Sequence, residues 1–424
     1  MTQQGAPIPG CNGVRSPVEW SVTLARDRFR LESYTGGQYH QYHQYHQYGQ
    51  LPMGANPDHL PCWIDLPISH TGLSMTTEAP PPHVRRKRYR GTHPRKFEEK
   101  YKELNPQKFA ADVEKVVARG QTAAGSHRSI CVNEILAILN PQPGETALDA
   151  TLGFGGHTQS ILPALLPGGR LFAVDVDAIE LPRTEIRLRE LGFSEEVLVI
   201  RKMNFSGVAK LLPEAGGGFD CIVADLGVSS MQLDNPARGF SYKNDGPLDL
   251  RLNPQRGSPA SALLQSITEQ ALAELLTNNA DEPHAGLISH QIKNSASPIV
   301  TTRQLADVVR AALDGVAETK EHKKTLARTF QALRIAVNDE FTVLDRFLDV
   351  LPWCMKPGGR VAVLTFHSGE DRRVEQAFQK YAHAGIYSSI ALDALRPSPE
   401  EQRSNPRSTS AKLRWAIRSA LPAG

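Results

Sequence analysis

The sequence predicts a doubly wound α/β sheet that carries an inserted, mainly helical domain. From about Gly125 onward, short apolar runs alternate with helical patterns, the texture of a parallel sheet with crossover helices. Three of the runs end in aspartate, and the first is followed by a glycine-rich turn. Over a hundred residues then separate the run ending at Asp225 from the one starting at Arg360, far more than a single crossover needs.

In chain order the candidate strands are 145–149, 170–175, 197–201, 219–225, 360–366 and 412–418. Between the fourth and fifth, helical spacing such as Leu305, Val308, Val309, Ala312 and Leu313 marks the insertion. A long helix is expected over 325–348, with Phe330, Leu333, Val337, Phe341, Leu344 and Leu348 at three-four spacing packing against the sheet. The division is therefore an extension at 1–83, a basic lead-in at 84–124, core at 125–235, insertion at 236–324, and core again at 325–424.

At 424 residues the chain has room for about two to three domains of ~150 residues each. No run approaches the roughly 18 apolar residues of a membrane span, which excludes an integral membrane protein and predicts no membrane partner. Five scattered cysteines without a CxxC pair support neither a zinc site nor a disulfide framework, so they read as reduced thiols and no metal is predicted. A net charge of +3 announces no polyanion by itself.

The extension holds QYH triplets at 38–50; with no second ligand cluster beside His40, His43 and His46, they are assigned no chemistry. It has no secretory signal, and Glu19, Asp27, Glu32, Asp58, Asp65 and Glu78 make it a poor transit peptide. In the lead-in, Arg and Lys from Arg85 to Lys102 alternate with Tyr89, Phe97 and Tyr101. Such a stretch can neutralise phosphates and stack on bases, or it can be a solvated linker.

Asp149 to His157, DATLGFGGH, follows a strand and precedes a helical pattern. Glycines there allow a close backbone approach to a nucleotide-like ligand. Gly153 and Gly155 are followed by Thr158 where a dinucleotide fingerprint has its third glycine, which argues against NAD. Asp175 ends the next strand, where a carboxylate can take both ribose hydroxyls. Asp149, the turn and Asp175 together fit S-adenosylmethionine, whose amino and sulfonium groups are cationic. The fourth strand ends in Asp225, then Leu-Gly-Val-Ser229-Ser230-Met-Gln232, so a carboxylate and polar groups should face cofactor or acceptor.

These blocks, with RGFS from Arg238, NDGPLDLR from Asn244, RTFQALRIAVN from Arg328, FHSGEDR from Phe366 and NPR from Asn405, resemble the bacterial-type small-subunit ribosomal RNA (cytosine-N4)-methyltransferases from about His127 to near the C-terminus. The resemblance implies a class I S-adenosylmethionine-dependent methyltransferase, a Rossmann-like doubly wound sheet whose helical insertion helps to recognise RNA. It implies cofactor contacts at Gly155, Gly156, His157, Asp175, Phe205, Asp225 and Gln232, beside the Asp149 and Gly153 read from the turn; Phe205 taken alone reads as core packing.

The implied acceptor is the exocyclic N4 of a decoding-centre cytidine, cytosine 1402 in bacterial numbering, in small-subunit RNA or an assembling subunit. That nitrogen needs a hydrogen-bond acceptor and alignment more than a strong base. Asp225 is the expected acceptor, assisted by Ser229 and Ser230, with His367 as a second candidate. DLGVSS lacks the proline-rich pattern of many amino-methyltransferases. Gly369 stands where the family has Leu, and Asn279 to Pro283 replaces its Tyr-Gly-Glu-Glu-Arg block, which puts RNA affinity in question. A DNA amino-methyltransferase and a non-catalytic ribosome-assembly factor stay open as alternatives. The long extension and a lead-in resembling the plastid branch point to the chloroplast; mitochondrion and bacterial cytoplasm are the other addresses.

Overall fold

A computed structural model describes residues 129–420. The extension, the whole lead-in, residues 125–128 and the last four residues lie outside the described part, and so do the readings that fall on them.

A seven-stranded sheet forms the base, in the order β3-β2-β1-β4-β5-β7-β6. Its strands are β1 (Thr146–Asp149), β2 (Arg170–Asp175), β3 (Leu198–Lys202), β4 (Phe219–Asp225), β5 (Met355–Thr365), β6 (Tyr387–Ile390) and β7 (Lys412–Arg418). The first five pair in parallel, while β7 runs antiparallel to both β5 and β6. Side chains that alternate along these strands go to two separate interiors. Leu148, Phe172, Val174, Ile222 and Val363 fill one face, and Ala147, Leu171, Ala173, Val223 and Leu364 the other. Burial on both faces is why the strands read as unbroken apolar runs.

One face is covered by α1 (Val132–Leu139), α2 (Gly156–Leu165) and α3 (Glu180–Glu190), through Ile135, Ile161 and Leu188. A short α4 (Ser230–Asp234) leads into the insertion, whose helices are α5 (Ala260–Ser266), α6 (Glu269–Ala280), α7 (Ala285–Lys293) and α8 (Thr302–Leu313), followed by α9 (Thr319–Asn338). The opposite face of the sheet is covered by α10 (Glu340–Cys354) and α11 (Ser368–His383), through Phe347 and Phe378. A last short helix, α12 (Pro399–Ser404), precedes β7.

The single helix expected over 325–348 is two. Asp339 takes a left-handed conformation (φ 52°) that ends α9, and α10 starts at the next residue. The apolar stripe divides accordingly. Leu326, Phe330 and Leu333 pack with Leu272, Ile288 and Leu305 in the insertion's own interior, and Leu344, Phe347 and Leu348 pack under the sheet. The insertion thus keeps α9, past the expected boundary at 324. Strand β6 had no counterpart in the sequence reading: its four residues, YSSI, are half polar and lie at the sheet edge.

Candidate active site

All five parallel strands point their C-terminal ends to one side, where β1, β2 and β4 finish at Asp149, Asp175 and Asp225. The turn after β1 is built by its glycines. Gly153 (φ 49°) and Gly155 (φ 74°) are left-handed, and Gly155 stands at the N-cap of α2. A Cβ on Gly155 would come 3.1 Å from Leu188 Cδ1, and one on Gly156 1.9 Å from Ser129 Oγ. Dihedral and space both disfavour a side chain at Gly155, the dihedral alone at Gly153 and space alone at Gly156.

Above the turn lies a cleft of about 730 Å³. Of the residues expected at the site, Gly153, Gly155, Gly156, His157, Asp175, Phe205, Asp225, Ser229, Ser230, Gln232 and His367 line it. Asp149 does not. Its carboxylate is buried and accepts from Thr158 Oγ1 (2.7 Å) and the Thr151 amide (3.1 Å), so it braces the turn from inside rather than meeting a ligand.

Asp175 holds the turn in place, with one oxygen accepting from the Gly153 amide and the other from the Asp177 amide, both at 2.8 Å. Each oxygen keeps a second lone pair. Burial pushes this carboxyl up to about 6, against the pull of those two amides. Phe205 stands at the cleft wall and meets Phe347 edge-on at 5.2 Å, which fixes its ring.

Asp225 has its side chain 30% exposed. Its amide donates to Thr151 Oγ1 (2.6 Å), and its Oδ2 lies 3.4 Å from His157 Nε2. Burial alone would lower the His157 imidazole, but the carboxylates of Asp225 and Asp149 hold it above the usual histidine range. The buried His157 ring backs the Asp225 carboxylate from the protein side, with its Nε2 facing Oδ2.

Ser229 and Gln232 form a capping box on α4: Ser229 Oγ accepts from the Gln232 amide (3.3 Å), and Gln232 Oε1 accepts from the Ser229 amide (2.8 Å). The Gln232 side-chain NH2 donates to Asp177 Oδ2 at 2.6 Å. His367 caps α11, with Nδ1 accepting from the Glu370 amide (3.4 Å) and Nε2 lying 3.1 Å from Glu370 Oε1. An accepting Nδ1 places the ring proton on Nε2, facing a carboxylate. His367 thus caps α11 through Nδ1, while its Nε2 faces Glu370 without a hydrogen bond, and the ring lines the cleft.

The sequence reading missed the opposite wall, where Tyr242, Lys243 and Arg334 come from the insertion. It also missed the buried pair Arg238–Asp177 (2.8 Å). No local pattern could have joined two residues 61 positions apart.

The profile of the MraW methylase family matches residues 124–419. The chain belongs to that family. Its curated relatives include ribosomal RNA small subunit methyltransferase H 1 of Lachnoclostridium phytofermentans, 51% identical over 349 residues that cover 81% of this chain and 95% of the relative. Methyltransferase H 2 of Alkaliphilus metalliredigens is 53% identical over 340 residues, covering 79% and 97%. A span of 81% is longer than 124–419, so these bacterial proteins match into the basic lead-in as well. Among solved structures, an S-adenosylmethionine-dependent O-methyltransferase of Thermotoga maritima aligns at 11% identity over 74% of this chain and 72% of its own; the TM-score of 0.33 is too low to argue from.

MraW methylases use S-adenosylmethionine, and the cleft of this member fits it. A glycine turn closed to side chains, the free lone pairs of Asp175 and the open carboxylate of Asp225 match a ribose and a cationic amino acid end. When bound, the cofactor supplies an electrophilic methyl on sulfur. Because Asp175 ionises near pH 6, the dissociation constant of S-adenosylhomocysteine is expected to be flat above pH 7. Below pH 6 it should rise by up to tenfold per pH unit, as the ribose loses its ionised acceptor. Calorimetry from pH 5 to 8 checks this; Asp175→Asn should bind weakly and without that slope, and a flat wild-type profile would contradict the assignment.

Proposed function

We propose that this chain methylates the exocyclic N4 of one cytidine, the equivalent of cytosine 1402 at the decoding centre of 16S-type small-subunit ribosomal RNA, in support of ribosome biogenesis. The observation that carries the reading is Asp225. It is the open carboxylate at the end of β4, inside the cleft and one strand away from the glycine turn.

The amino lone pair of cytosine is delocalised into the ring and attacks poorly. Asp225 accepts one N4–H hydrogen bond, which favours a pyramidal nitrogen, and takes or relays the proton that N4 loses once methylated. Ser230 and the backbone of the Ser229 turn bound the same side of the cleft. A base within a helix cannot reach this depth, so the target must be unstacked or already presented. On the insertion wall, Tyr242 offers a ring for the splayed base, and Lys243, an exposed cation, a phosphate contact.

The test incubates the full chain with labelled S-adenosylmethionine and small subunits from cells lacking the modification, followed by nucleoside mass spectrometry. N4-methylcytidine is the expected product. Cofactor binding without transfer would favour the assembly-factor reading, and label in DNA but not RNA would favour a DNA amino-methyltransferase. The chloroplast address rests on the 1–83 extension and on the lead-in's likeness to the plastid branch, a stretch into which bacterial relatives also match; import of the 1–83 segment into isolated chloroplasts is its test, and exclusion from them would remove it.

A further inference from the structure

The cofactor side of the cleft and the insertion have separate hydrophobic interiors. Apolar contact between them, such as Val228 and Leu233 against the insertion, is non-directional and does not fix their mutual placement to a fraction of an ångström. Several polar links cross between the two parts. Ser368 and Arg372 to Asp281, and Lys202 to Gln255, are exposed and therefore weak.

One link is buried. Asp177 is 1% exposed and lies two residues past Asp175, whose Oδ1 accepts from the Asp177 amide. Asp177 Oδ1 accepts from the amides of Ile179 (2.8 Å) and Glu180 (3.1 Å) at the start of α3. Its Oδ2 accepts from Gln232 on α4 and from Arg238 Nη1. The other arm of the Arg238 guanidinium, itself 4% exposed, donates to the carbonyls of Arg251 (3.1 Å) and Leu252 (2.9 Å). That segment is the root of the insertion: Asn338 on α9 accepts from the Leu252 amide (2.7 Å) and donates to the Leu250 carbonyl (2.8 Å), and Leu252 lines the cleft.

We infer that Arg238 is a positioning residue, its rigid fork setting where the insertion holds the acceptor base relative to the ribose carboxylate Asp175. The inference rests on the cofactor and acceptor reading of the cleft proposed above. A planar guanidinium bonded on two sides fixes direction as well as distance, and alignment is what transfer to a weak nucleophile demands. A lysine keeps the charge against Asp177 but cannot reproduce the fork to two carbonyls.

The test compares the wild type, Arg238→Lys and Arg372→Ala in the full chain. S-adenosylhomocysteine binding by calorimetry gives affinity and the number of competent sites. Turnover on unmodified small subunits is then expressed per competent site, which removes losses due to misfolding. Spin labels at Ile186→Cys on α3 and Leu287→Cys on α7, with Cys11 and Cys62 changed to serine, report the distance between the two parts.

Arg238→Lys is expected to bind S-adenosylhomocysteine and subunits within about threefold of wild type, to lose about 30-fold or more in kcat per site, and to show a broadened distance distribution. Arg372→Ala should match the wild type in all three. Should Arg238→Lys not fold, Asn338→Asp, which frees the same root, carries the same readouts. A kcat per site within threefold of wild type, or an unbroadened distribution, overturns the inference. So does cofactor affinity falling in step with kcat, which would make Arg238 a brace of the cofactor loop only. Failure of the wild type to bind S-adenosylhomocysteine would instead defeat the reading of the cleft.

Discussion

Asp225→Ala is expected to lower methyl transfer to small-subunit RNA by about 10³-fold, at the upper end of what one lost hydrogen-bonding group at a reacting centre costs. Affinity for S-adenosylhomocysteine should fall by no more than about tenfold, for loss of the carboxylate facing the amino acid end, because Asp175 and the glycine turn are untouched. Asp225→Asn separates two roles that alanine cannot. If the carboxylate acts as a hydrogen-bond acceptor, the amide oxygen of asparagine can still hold N4–H, and the loss should stay below about 100-fold. If proton removal limits the rate, asparagine should be nearly as poor as alanine. Single-turnover rates with saturating cofactor distinguish the two, and an alanine variant retaining more than a tenth of wild-type transfer would remove Asp225 from the chemistry.

Gly239→Ala carries the largest expected effect on stability. Gly239 follows Arg238 with φ 70°, and a Cβ there would lie 2.1 Å from the Pro247 carbonyl oxygen and 2.9 Å from the Asp249 amide nitrogen. Both obstacles are backbone, so no rotamer change relieves them. The left-handed dihedral costs about 1–2 kcal/mol and the clash adds to it, giving a loss of at least ~3 kcal/mol and a Tm lower by roughly 5–10 °C. Gly257→Ala is the control. It shares the dihedral (φ 68°) but nothing lies within 4 Å, so only the smaller cost of about 1–2 kcal/mol is expected. Equal melting temperatures for the two variants would show that Gly239 is not confined as described.

The strands were legible because burial on both faces leaves an unbroken apolar signature, and because Asp149, Asp175 and Asp225 mark the strand ends that face the cleft. The break between α9 and α10 left no such mark. Asp339 turns the chain without glycine or proline, and the three-four apolar spacing runs across the break even though its halves enter different interiors. At the site, residue types on the strand-end loops foretold which groups line the cleft but not how each spends its hydrogen bonds. Asp149 turns inward to Thr158, and His367 gives Nδ1 to the Glu370 amide as a helix cap. The Arg238–Asp177 pair was hidden for another reason: it joins residues from two parts of the fold that only tertiary packing brings together.

The most direct test of the account is to map the transferred methyl. Small-subunit RNA from the reaction would be cut with a guanosine-specific ribonuclease and its fragments weighed and sequenced by mass spectrometry. The account predicts one extra methyl on a single fragment, on N4 of the cytidine equivalent to 1402. Methyl at another nucleotide, on an adenosine, or spread over many fragments would contradict it.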